Sequence, residues 1–365
     1  MILLHPNDTH IYTLEELNAK KARFAVPSTI TMSFLMIFGI VGNSLVIYVY
    51  SRKFKSTSTN SFILALSTFD LLNCLVGMPT EIADDQLPLM FNWELGCKIL
   101  RFTSFFSTGA SSLTLVIIAM DRYQRVCLGK EQIQSGWAKM MIILTATMSA
   151  VLVSPIIELA GIDTESTDVP YINGTDCAIR DKYKKSKWPL IYFMYLAVII
   201  IVCLIILVVT YTMIGLAVRT RLGRQNLDGR TVVRTMADLN REKDRKVKSE
   251  KTTKTFFMVT VLFIVSFMPC LVIQISRALA GFKPHSPMME IIFNLGLRSY
   301  FLGNSLNPFI YGYCNSKFRE AIVLVIGRMQ EKLMEEPRTK AHVYSLSAGQ
   351  VHKPVSMSIT DSVYE

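Results

Sequence analysis

The chain has 365 residues, of which 51% are hydrophobic and only 18% are charged, and its formal net charge is +11. A water-soluble domain of this size normally has a lower apolar share and a higher charged share, so the composition argues against a soluble globular protein. The excess of Lys and Arg is compatible with nucleic-acid binding, but most of it lies beside apolar segments, and we therefore expect no nucleic-acid partner.

The apolar residues are concentrated in seven segments, called span one to span seven in chain order. They cover residues 26–50, 62–80, 102–120, 140–157, 188–218, 255–276 and 291–313. Each approaches or exceeds the ~20 residues with which an α-helix crosses a bilayer. Five spans are uncharged, whereas span two contains Asp70 and span seven contains Arg298. The sequence therefore predicts one all-α membrane domain, a seven-transmembrane helix bundle over residues 26–313, embedded in a lipid bilayer.

The segments outside the bundle are short. Residues 1–25 precede it, and we expect span one to remain uncleaved because these residues lack the layout of a signal peptide. After span seven, apolar and basic residues follow a pattern typical of a short amphipathic helix on a membrane surface, predicted over residues 314–332. Residues 333–365 are polar, and a disordered tail is predicted for them.

Basic residues beside the spans fall on one side of the predicted bundle. They follow spans one, three and five and precede span six, as do Arg52, Arg122, Arg219 and Lys254. The positive-inside rule assigns that side to the cytoplasm, although a basic cluster at residues 182–187 lies on the other side. We predict a multi-pass plasma-membrane protein with its N-terminus extracellular and its tail cytoplasmic. The N-glycosylation sequons at Asn7 and Asn173 then lie outside the cell.

The seven cysteines divide according to this orientation. Five fall inside spans or at their cytoplasmic ends, where a small buried apolar role is the simplest interpretation: Cys74, Cys127, Cys203, Cys270 and Cys314. Cys97 and Cys177 lie on the oxidising side of the membrane. We predict a disulfide between these two residues, which would tie the start of span three to the loop between spans four and five.

Asp70 lies in the middle of span two, where an ionised carboxylate is costly unless polar groups surround it. The polar side chains of other spans that could meet it are Asn43, Ser111, Asn304 and Asn307. The sequence thus predicts a polar core in the middle of the bundle. A set of helix-to-helix hydrogen bonds without any ion is its simplest form.

Two prolines and one Asp-Arg pair stand out in the remaining spans. Pro269 and Pro308 remove backbone hydrogen bonds from spans six and seven, so each predicts a bend. At the cytoplasmic edge of span three, Asp121 directly precedes Arg122, and its carboxylate is in a position to restrain the guanidinium. The alternative is an ordinary Arg that extends from a helix end toward the membrane surface.

The full set of motifs resembles one family, the rhodopsin-like or class A G-protein-coupled receptors. The resemblance covers residues 26 to about 329, with markers in every span but the fourth, in the family's order. These markers are Gly42-Asn43, Asn60 with Asp70, Trp93 and Gly96 before Cys97, Asp121-Arg122-Tyr123, Tyr211, Phe263 with Phe267-Met268-Pro269, and Asn307-Pro308-Phe309-Ile310-Tyr311 with Phe318 after it. Metal-ligand spacings, nucleophile elbows and phosphate loops are missing from the sequence, so we expect no enzymatic activity.

The resemblance implies a receptor that binds an extracellular ligand and activates a heterotrimeric G protein by outward movement of span six. It assigns the switch and G-protein coupling to Asp121, Arg122, Tyr123, Tyr211, Asn307, Pro308 and Tyr311. It assigns the activation hinge to Phe263, Phe267 and Pro269. It further implies an allosteric sodium ion held by Asp70 and Ser111, no other cofactor, and a tail that binds arrestin after modification by a receptor kinase.

This sequence departs from the family pattern at the Arg122 switch. Related receptors carry an acidic residue in span six that pairs with this Arg, whereas Ser249 occupies the position here and Glu250 follows it. A weaker restraint on Arg122 and some ligand-independent signalling are therefore expected. Phe267 also stands where the family usually has Trp.

The ligand class is predicted from the mouth of the bundle. Amine receptors carry an Asp at the position of Ser104, and opsins carry a Lys at the position of Phe301, so the resemblance disfavours both classes. The remaining candidate pocket residues carry both signs of charge and are Glu81, Arg101, Glu158, Arg277 and Arg298. Such a two-signed surface favours a peptide ligand, as in a neuropeptide receptor. A lipid or small organic acid that meets the arginines is the alternative.

A seven-span transporter is a more remote alternative. Transporters usually contain inverted repeats, broken helices and paired ionisable residues along a path through the membrane. This sequence shows no such repeat, and Asp70 is the one acidic residue within the predicted spans, so a pair of ionisable residues along a path is not evident.

Overall fold

A computed structural model describes residues 12–131, 133–167, 169–225, 236–280 and 286–327. Asn7, the tail after residue 327 and the side chain of Arg277 therefore lie outside the described part of the chain, and predictions about them stay predictions. Within these ranges the chain forms a helical bundle with one small β-hairpin.

Most of the described chain is helical. The helices are α1 (Leu14–Ala22), α2 (Val26–Arg52), α3 (Ser58–Leu72), α4 (Met78–Gln86), α5 (Glu94–Val126), α6 (Ser135–Val153), α7 (Ile156–Leu159), α8 (Asp181–Lys184), α9 (Trp188–Gln225), α10 (Met236–Ala280), α11 (Pro287–Leu297) and α12 (Phe301–Cys314). A further helix, α13, covers residues 316–327. The hairpin consists of the antiparallel strands β1 (Ala160–Ser166) and β2 (Asn173–Ile179).

The described helices account for all seven predicted spans. Six helical segments are long and apolar enough to cross a membrane, and they contain α2, α3 with α4, α5, α6, α9 and α10. Span seven is made of the shorter helices α11 and α12. Large apolar side chains such as Ile143, Val151 and Val265 are exposed on the outer faces of these helices, which suits contact with lipid rather than water. The predicted all-α bundle is confirmed, with the hairpin as an addition to it.

Span two bends in its middle. Between α3 and α4, residues Asn73–Gly77 form a π-helical turn, a feature that changes the rotation of everything that follows it. At this turn Gly77 packs closely against spans three and seven. A Cβ atom on Gly77 would lie 3.0 Å from Ser104 Oγ and 3.3 Å from Phe301 Cε1. The three spans therefore meet at a position where a larger side chain would not fit.

Span seven is interrupted at Arg298. Helix α11 ends at Leu297, and the next helix begins at Phe301, with a tight turn between them in which the amide of Phe301 donates to the carbonyl of Arg298 at 3.2 Å. The hydroxyl of Ser299 donates to the carbonyl of Ser266 in span six at 2.7 Å. This turn anchors span seven to span six and releases the Arg298 side chain from the helical geometry.

The hairpin covers one end of the bundle, which we call the hairpin end. The predicted disulfide between Cys97 and Cys177 is confirmed, and it fixes β2 to the first turns of α5. The opposite end, where α5 finishes at Val126, is called the Arg122 end. Because Arg101 and Arg122 are separated by 21 residues of one helix, they lie about 30 Å apart along its axis.

Residues before span one were predicted only as a segment, but part of that segment is helix α1. Its first turn is a capping box, in which the Thr13 side chain accepts from the Glu16 amide and the Glu16 side chain accepts from the Thr13 amide. Leu17 packs with Leu89, Val169 and Ile172, and this fixes α1 across the hairpin end. The capping-box spacing of Thr13 and Glu16 in the sequence would have predicted the start of this helix.

Close contact between spans one and seven gives the first prediction. A Cβ atom on Gly42 would lie 2.8 Å from Pro308 Cγ, and the rigid proline ring has little room to move. We expect Gly42→Ala to lower the free energy of unfolding by about 1–3 kcal/mol because of overpacking. Gly215→Ala is the control, since nothing lies within 4 Å of that position and the change should stabilise its helix by up to about 1 kcal/mol. Thermal denaturation in detergent measures both, and equal shifts would contradict the packing.

Candidate functional site

Spans one, two, three and seven meet in a polar core around Asp70. The Asp70 carboxylate is buried and accepts hydrogen bonds from Asn304 Nδ2 at 2.8 Å, from Asn307 Nδ2 at 2.7 Å and from the Ser111 hydroxyl at 3.2 Å. Asn43 is one step removed, because its Nδ2 donates to the backbone carbonyl of Asn304 at 2.9 Å. The structure therefore brings all five predicted polar residues together. Three neutral donors replace the water that this buried carboxylate would otherwise need.

A small cavity lies beside this carboxylate. Its volume is about 20 Å³, which is room for roughly one water-sized body, and its wall includes Asp70, Ser111 and Asn307. The Oδ1 atom of Asn307 is buried and has no hydrogen-bond partner in the described part of the chain. Carboxylate, hydroxyl and amide oxygens are the ligands that hard cations prefer, so the residues fit a small cation with little or no water around it.

Arg122 is fully buried at the Arg122 end. Its Nε donates to Asp121 Oδ2 at 2.9 Å, and a second nitrogen forms an ion pair with the same carboxylate. It also donates to Thr59 of span two at 3.3 Å, and its guanidinium lies 5.7 Å from the ring centroid of Phe256 in span six. Spans two, three and six are thus joined through one side chain. Glu250, the acidic residue nearest the family's position, is exposed.

Phe256 was not among the predicted switch residues. It is fully buried and offers an aromatic face to the guanidinium, which forms no ion pair with span six among the described side chains. A cation–π contact therefore joins spans three and six at this position. Of the other predicted switch residues, Asp121 pairs with Arg122, whereas Asn307 belongs to the polar core and Pro308 packs against Gly42. Tyr211 packs edge-on against Phe257 with 5.6 Å between centroids, Tyr311 is fully buried, and Tyr123 is partly exposed.

A series of aromatic rings runs from span six to span seven above the polar core. The ring centroids are 5.0 Å apart for Phe263 and Phe267, 5.7 Å for Phe267 and Tyr300, and 4.2 Å for Tyr300 and Phe301. Pro269 lies within the same part of α10. Of the predicted hinge residues, Phe267 is therefore in contact with the turn that interrupts span seven. Tyr300 was missed because nothing in the sequence showed where that turn would be.

A large cavity opens at the hairpin end, with a volume of about 800 Å³. Its wall includes Ser104 and two arginines, and both arginines are held by carboxylates of span two. Arg101 pairs with Glu81 at 2.5 Å and with Asp84, and it donates to the carbonyl of Cys177 at 2.9 Å. The two-signed cluster that was predicted from sequence is thus largely satisfied within the protein.

Arg298 belongs to the same cluster. It forms ion pairs with Asp85 at 2.5 Å and with Glu81 at 3.5 Å, and Asp85 also accepts from the Ser28 hydroxyl at 2.5 Å. The anionic partner that a buried arginine needs is therefore part of span two rather than of a ligand. Glu81, Asp84 and Asp85 follow each other at helical i, i+3 and i+4 spacing, so the sequence contained the signal that they share one face.

Two predicted pocket residues lie outside the large cavity. Glu158 is more than half exposed and pairs with Arg180 and Lys182 at 3.5 Å, while the Tyr183 hydroxyl donates to it at 2.8 Å. This hydrogen bond, ahead of the nearby cations, lowers the pKa of the Glu158 carboxyl. Phe301 is fully buried behind the wall, next to Met32, Cys74 and Met78.

Comparison with known proteins gives one family. The family model described as 7 transmembrane receptor (rhodopsin family) matches residues 42–311. The chain is 26% identical to Neuropeptide FF receptor 2 of Rattus norvegicus, over 91% of this chain and 82% of that protein. It is 26% identical to Growth hormone secretagogue receptor type 1 of Homo sapiens, over 82% and 80%, and 28% identical to Neuropeptide Y receptor type 2 of Cavia porcellus, over 82% and 75%.

Proposed function

We propose that this chain, which belongs to the rhodopsin family of seven-transmembrane receptors, is a G-protein-coupled receptor activated by an extracellular peptide. The observation that carries this proposal is the arrangement along span three. A charged cavity surrounds Arg101 at one end, and a buried Arg122 joins three spans at the other. Ligand binding at the cavity around Arg101 can therefore be coupled to the Arg122 end through the packing of the spans.

A peptide is the ligand class that the cavity and the relatives both support. Volumes of about 300–1,000 Å³ are usual for ligand sites, and this cavity has about 800 Å³. Two of the relatives are named as neuropeptide receptors. A lipid or organic acid is less well supported, because Arg101 and Arg298 already pair with carboxylates of span two.

The mechanism is a ligand-shifted equilibrium between two packings of the spans. A peptide that contacts the cavity wall near Tyr300 bears on the ring series through Phe267 to Phe263. Span six bends at Pro269, and its far end moves outward. That movement withdraws Phe256 from Arg122 and opens a G-protein site at the Arg122 end. The ligand shifts the equilibrium only by as much as it prefers the second packing.

The orientation and the remaining partners belong to the same proposal. The hairpin end faces the outside of the cell at the plasma membrane, and the Arg122 end faces the cytoplasm. Asn173 is exposed at the start of β2, where a glycan would extend away from the bundle. A receptor kinase and an arrestin would act on the cytoplasmic tail.

A sodium ion in the small cavity is proposed for the resting packing, with Asp70 and Ser111 as ligands. Its positive charge would neutralise the buried carboxylate. We expect Asp70→Asn to lower ligand-stimulated nucleotide exchange about tenfold, because the charge that orders Asn304 and Asn307 is lost. Exchange by the variant should be the same in sodium chloride and choline chloride, whereas sodium should lower wild-type exchange. Asp181→Asn on the surface is the control, and a wild-type protein indifferent to sodium would contradict the ion.

Phe256→Leu is expected to raise ligand-independent nucleotide exchange. The leucine keeps an apolar side chain but removes the aromatic face over Arg122, a contact worth about 0.5–2 kcal/mol. We therefore expect basal exchange to rise about two- to thirtyfold in membranes with equal receptor content. Phe34→Leu, at a side chain exposed on span one, is the matched control. Unchanged basal exchange in Phe256→Leu would show that this contact does not restrain span six.

The proposed function is tested by second-messenger assays in transfected cells with a library of neuropeptides and a set of monoamines. We expect at least one peptide to produce a response that untransfected cells lack. A response to monoamines alone would contradict the argument from Ser104, and a response to none of the peptides would count against the peptide proposal.

A further inference from the structure

The large cavity contains more acidic than basic groups, although both of its arginines are paired. Among the described residues, its wall has five carboxyl and three cationic side chains. Arg101 and Arg298 are occupied by Glu81, Asp84 and Asp85. The third cation, Lys21, pairs with Glu165 at 3.4 Å, and that carboxylate lies outside the cavity wall. The excess of carboxyl over cationic side chains therefore lies in the wall residues that take part in none of these ion pairs.

Those groups are Asp176 and Glu290. Asp176 lies on β2, where one oxygen accepts from the Cys177 amide at 2.7 Å, and it takes part in no ion pair within the described chain. Glu290 lies in the first turn of α11, is half-buried, and likewise has no ion-pair partner in the described ranges. Burial raises the pKa of the Asp176 carboxyl, although nearby Arg101, the Cys177 amide and Lys21 act in the opposite direction. Both residues contribute to the wall of the large cavity.

Apolar side chains form a large part of the remaining wall, among them Phe105, Leu152, Phe193, Met194 and Leu271. Along α5 the wall extends from Arg101 to Leu113, which is about 18 Å of helix. An extended chain covers that depth in about five residues. The cavity thus fits one end of a peptide rather than a whole folded hormone.

We propose that the large cavity takes the end of a cationic peptide, with an Arg or Lys side chain at the carboxylates of Asp176 and Glu290 and a bulky apolar side chain against the apolar part of the wall. This inference rests on the proposed peptide-receptor function and specifies its ligand. A peptide cation would pair with the two carboxylates, which form no ion pair within the described ranges, and a peptide of acidic residues would be repelled by them. The apolar side chain supplies affinity by leaving water.

The test uses pools of pentapeptides with both termini blocked, so that side chains alone carry charge. Each pool has Arg, Lys, Asp, Glu or Leu fixed at one position and apolar residues elsewhere. Binding to the purified full-length receptor in nanodiscs is measured as thermal stabilisation across a dilution series, and nucleotide exchange is measured separately on a panel of G proteins. We expect the Arg and Lys pools to bind at least about tenfold more tightly than the acidic pools.

One double variant locates the cation, and each of its two substitutions has a control with the same chemical change. Asp176→Asn with Glu290→Gln should weaken binding of the Arg and Lys pools by about tenfold or more and leave the Leu pool unchanged. The controls are Asp163→Asn and Glu15→Gln. Asp163 lies opposite Asp176 in the hairpin but outside the cavity wall, and Glu15 lies on the exposed face of α1. Neither control should change binding.

The outcomes separate this inference from the function on which it rests. Tighter binding of acidic pools, or full affinity of the double variant for the Arg pool, would overturn the cationic ligand. If the acidic pools, or the Arg pool with the double variant, still stimulate nucleotide exchange, the peptide-receptor function stands. Absence of stabilisation and of exchange with every pool would overturn both.

Discussion

Arg122→Ala is expected to abolish ligand-stimulated nucleotide exchange while ligand affinity at the hairpin end is retained. The side chain is fully buried and joins spans two, three and six through Thr59, Asp121 and Phe256. In the active packing the Arg122 side chain is released from these partners and would form part of the surface that a G protein contacts. Alanine can make neither the contacts within the bundle nor the contact with the G protein. Exchange should fall to the level of membranes without receptor, and radioligand or peptide binding should change less than about threefold.

Stability has to be separated from signalling in this experiment. Removing Arg122 leaves the Asp121 carboxylate buried without its cation, which typically costs about 3–5 kcal/mol. The double variant Asp121→Asn, Arg122→Ala removes the orphaned charge, so its thermal stability should recover much of the loss. Its stimulated exchange should nevertheless stay at background. Normal exchange by the double variant would show that Arg122 is not the switch.

Cys177→Ser is expected to reduce surface expression strongly and to abolish peptide binding by the remaining protein. The bond to Cys97 fixes β2 to α5, and the carbonyl of Cys177 accepts from Arg101 in the large cavity. Loss of a native disulfide typically costs about 2–5 kcal/mol, and here it also frees the strand that carries Asp176. Flow cytometry of an epitope-tagged receptor and ligand-binding assays measure the two effects.

The disulfide prediction has a simple internal check. Cys97→Ser and the double variant should behave like Cys177→Ser, because each removes the same bond and the effects are not additive. Cys314→Ser, at a free and partly exposed cysteine, should behave like the wild type. Normal expression and binding in both single disulfide variants would remove the bond from this account.

The sequence was most informative where the membrane leaves few choices. Uncharged segments of sufficient length had to be spans, and a carboxylate in mid-membrane had to find polar partners. The contacts of Asp70 with Ser111, Asn304 and Asn307 follow from that requirement. The disulfide followed from the two cysteines on the oxidising side.

The sequence was least informative where rotation about a helix axis decides the contact. Arg298 was predicted as a residue of the ligand pocket, and the sequence did not show its anionic partner. The π-helical turn in span two and the break in span seven bring Asp85 to it. Glu158 was predicted to line the pocket, yet it faces Arg180. Phe256 had no motif to mark it, because an aromatic residue in a membrane span is normally part of the apolar packing.

The central claim is that a ligand at the hairpin end moves span six away from Arg122, and a distance measurement tests it directly. Spin labels at Lys55→Cys and Lys254→Cys, two exposed positions at the Arg122 end, report the separation of span six from the start of span two by double electron–electron resonance. Cys127 and Cys314, which are not disulfide-bonded, are first replaced by Ser. With an activating peptide and a G protein, we predict a second distance population longer by about 5 Å or more, roughly one helical turn. An unchanged distance distribution under conditions that stimulate nucleotide exchange would contradict the account.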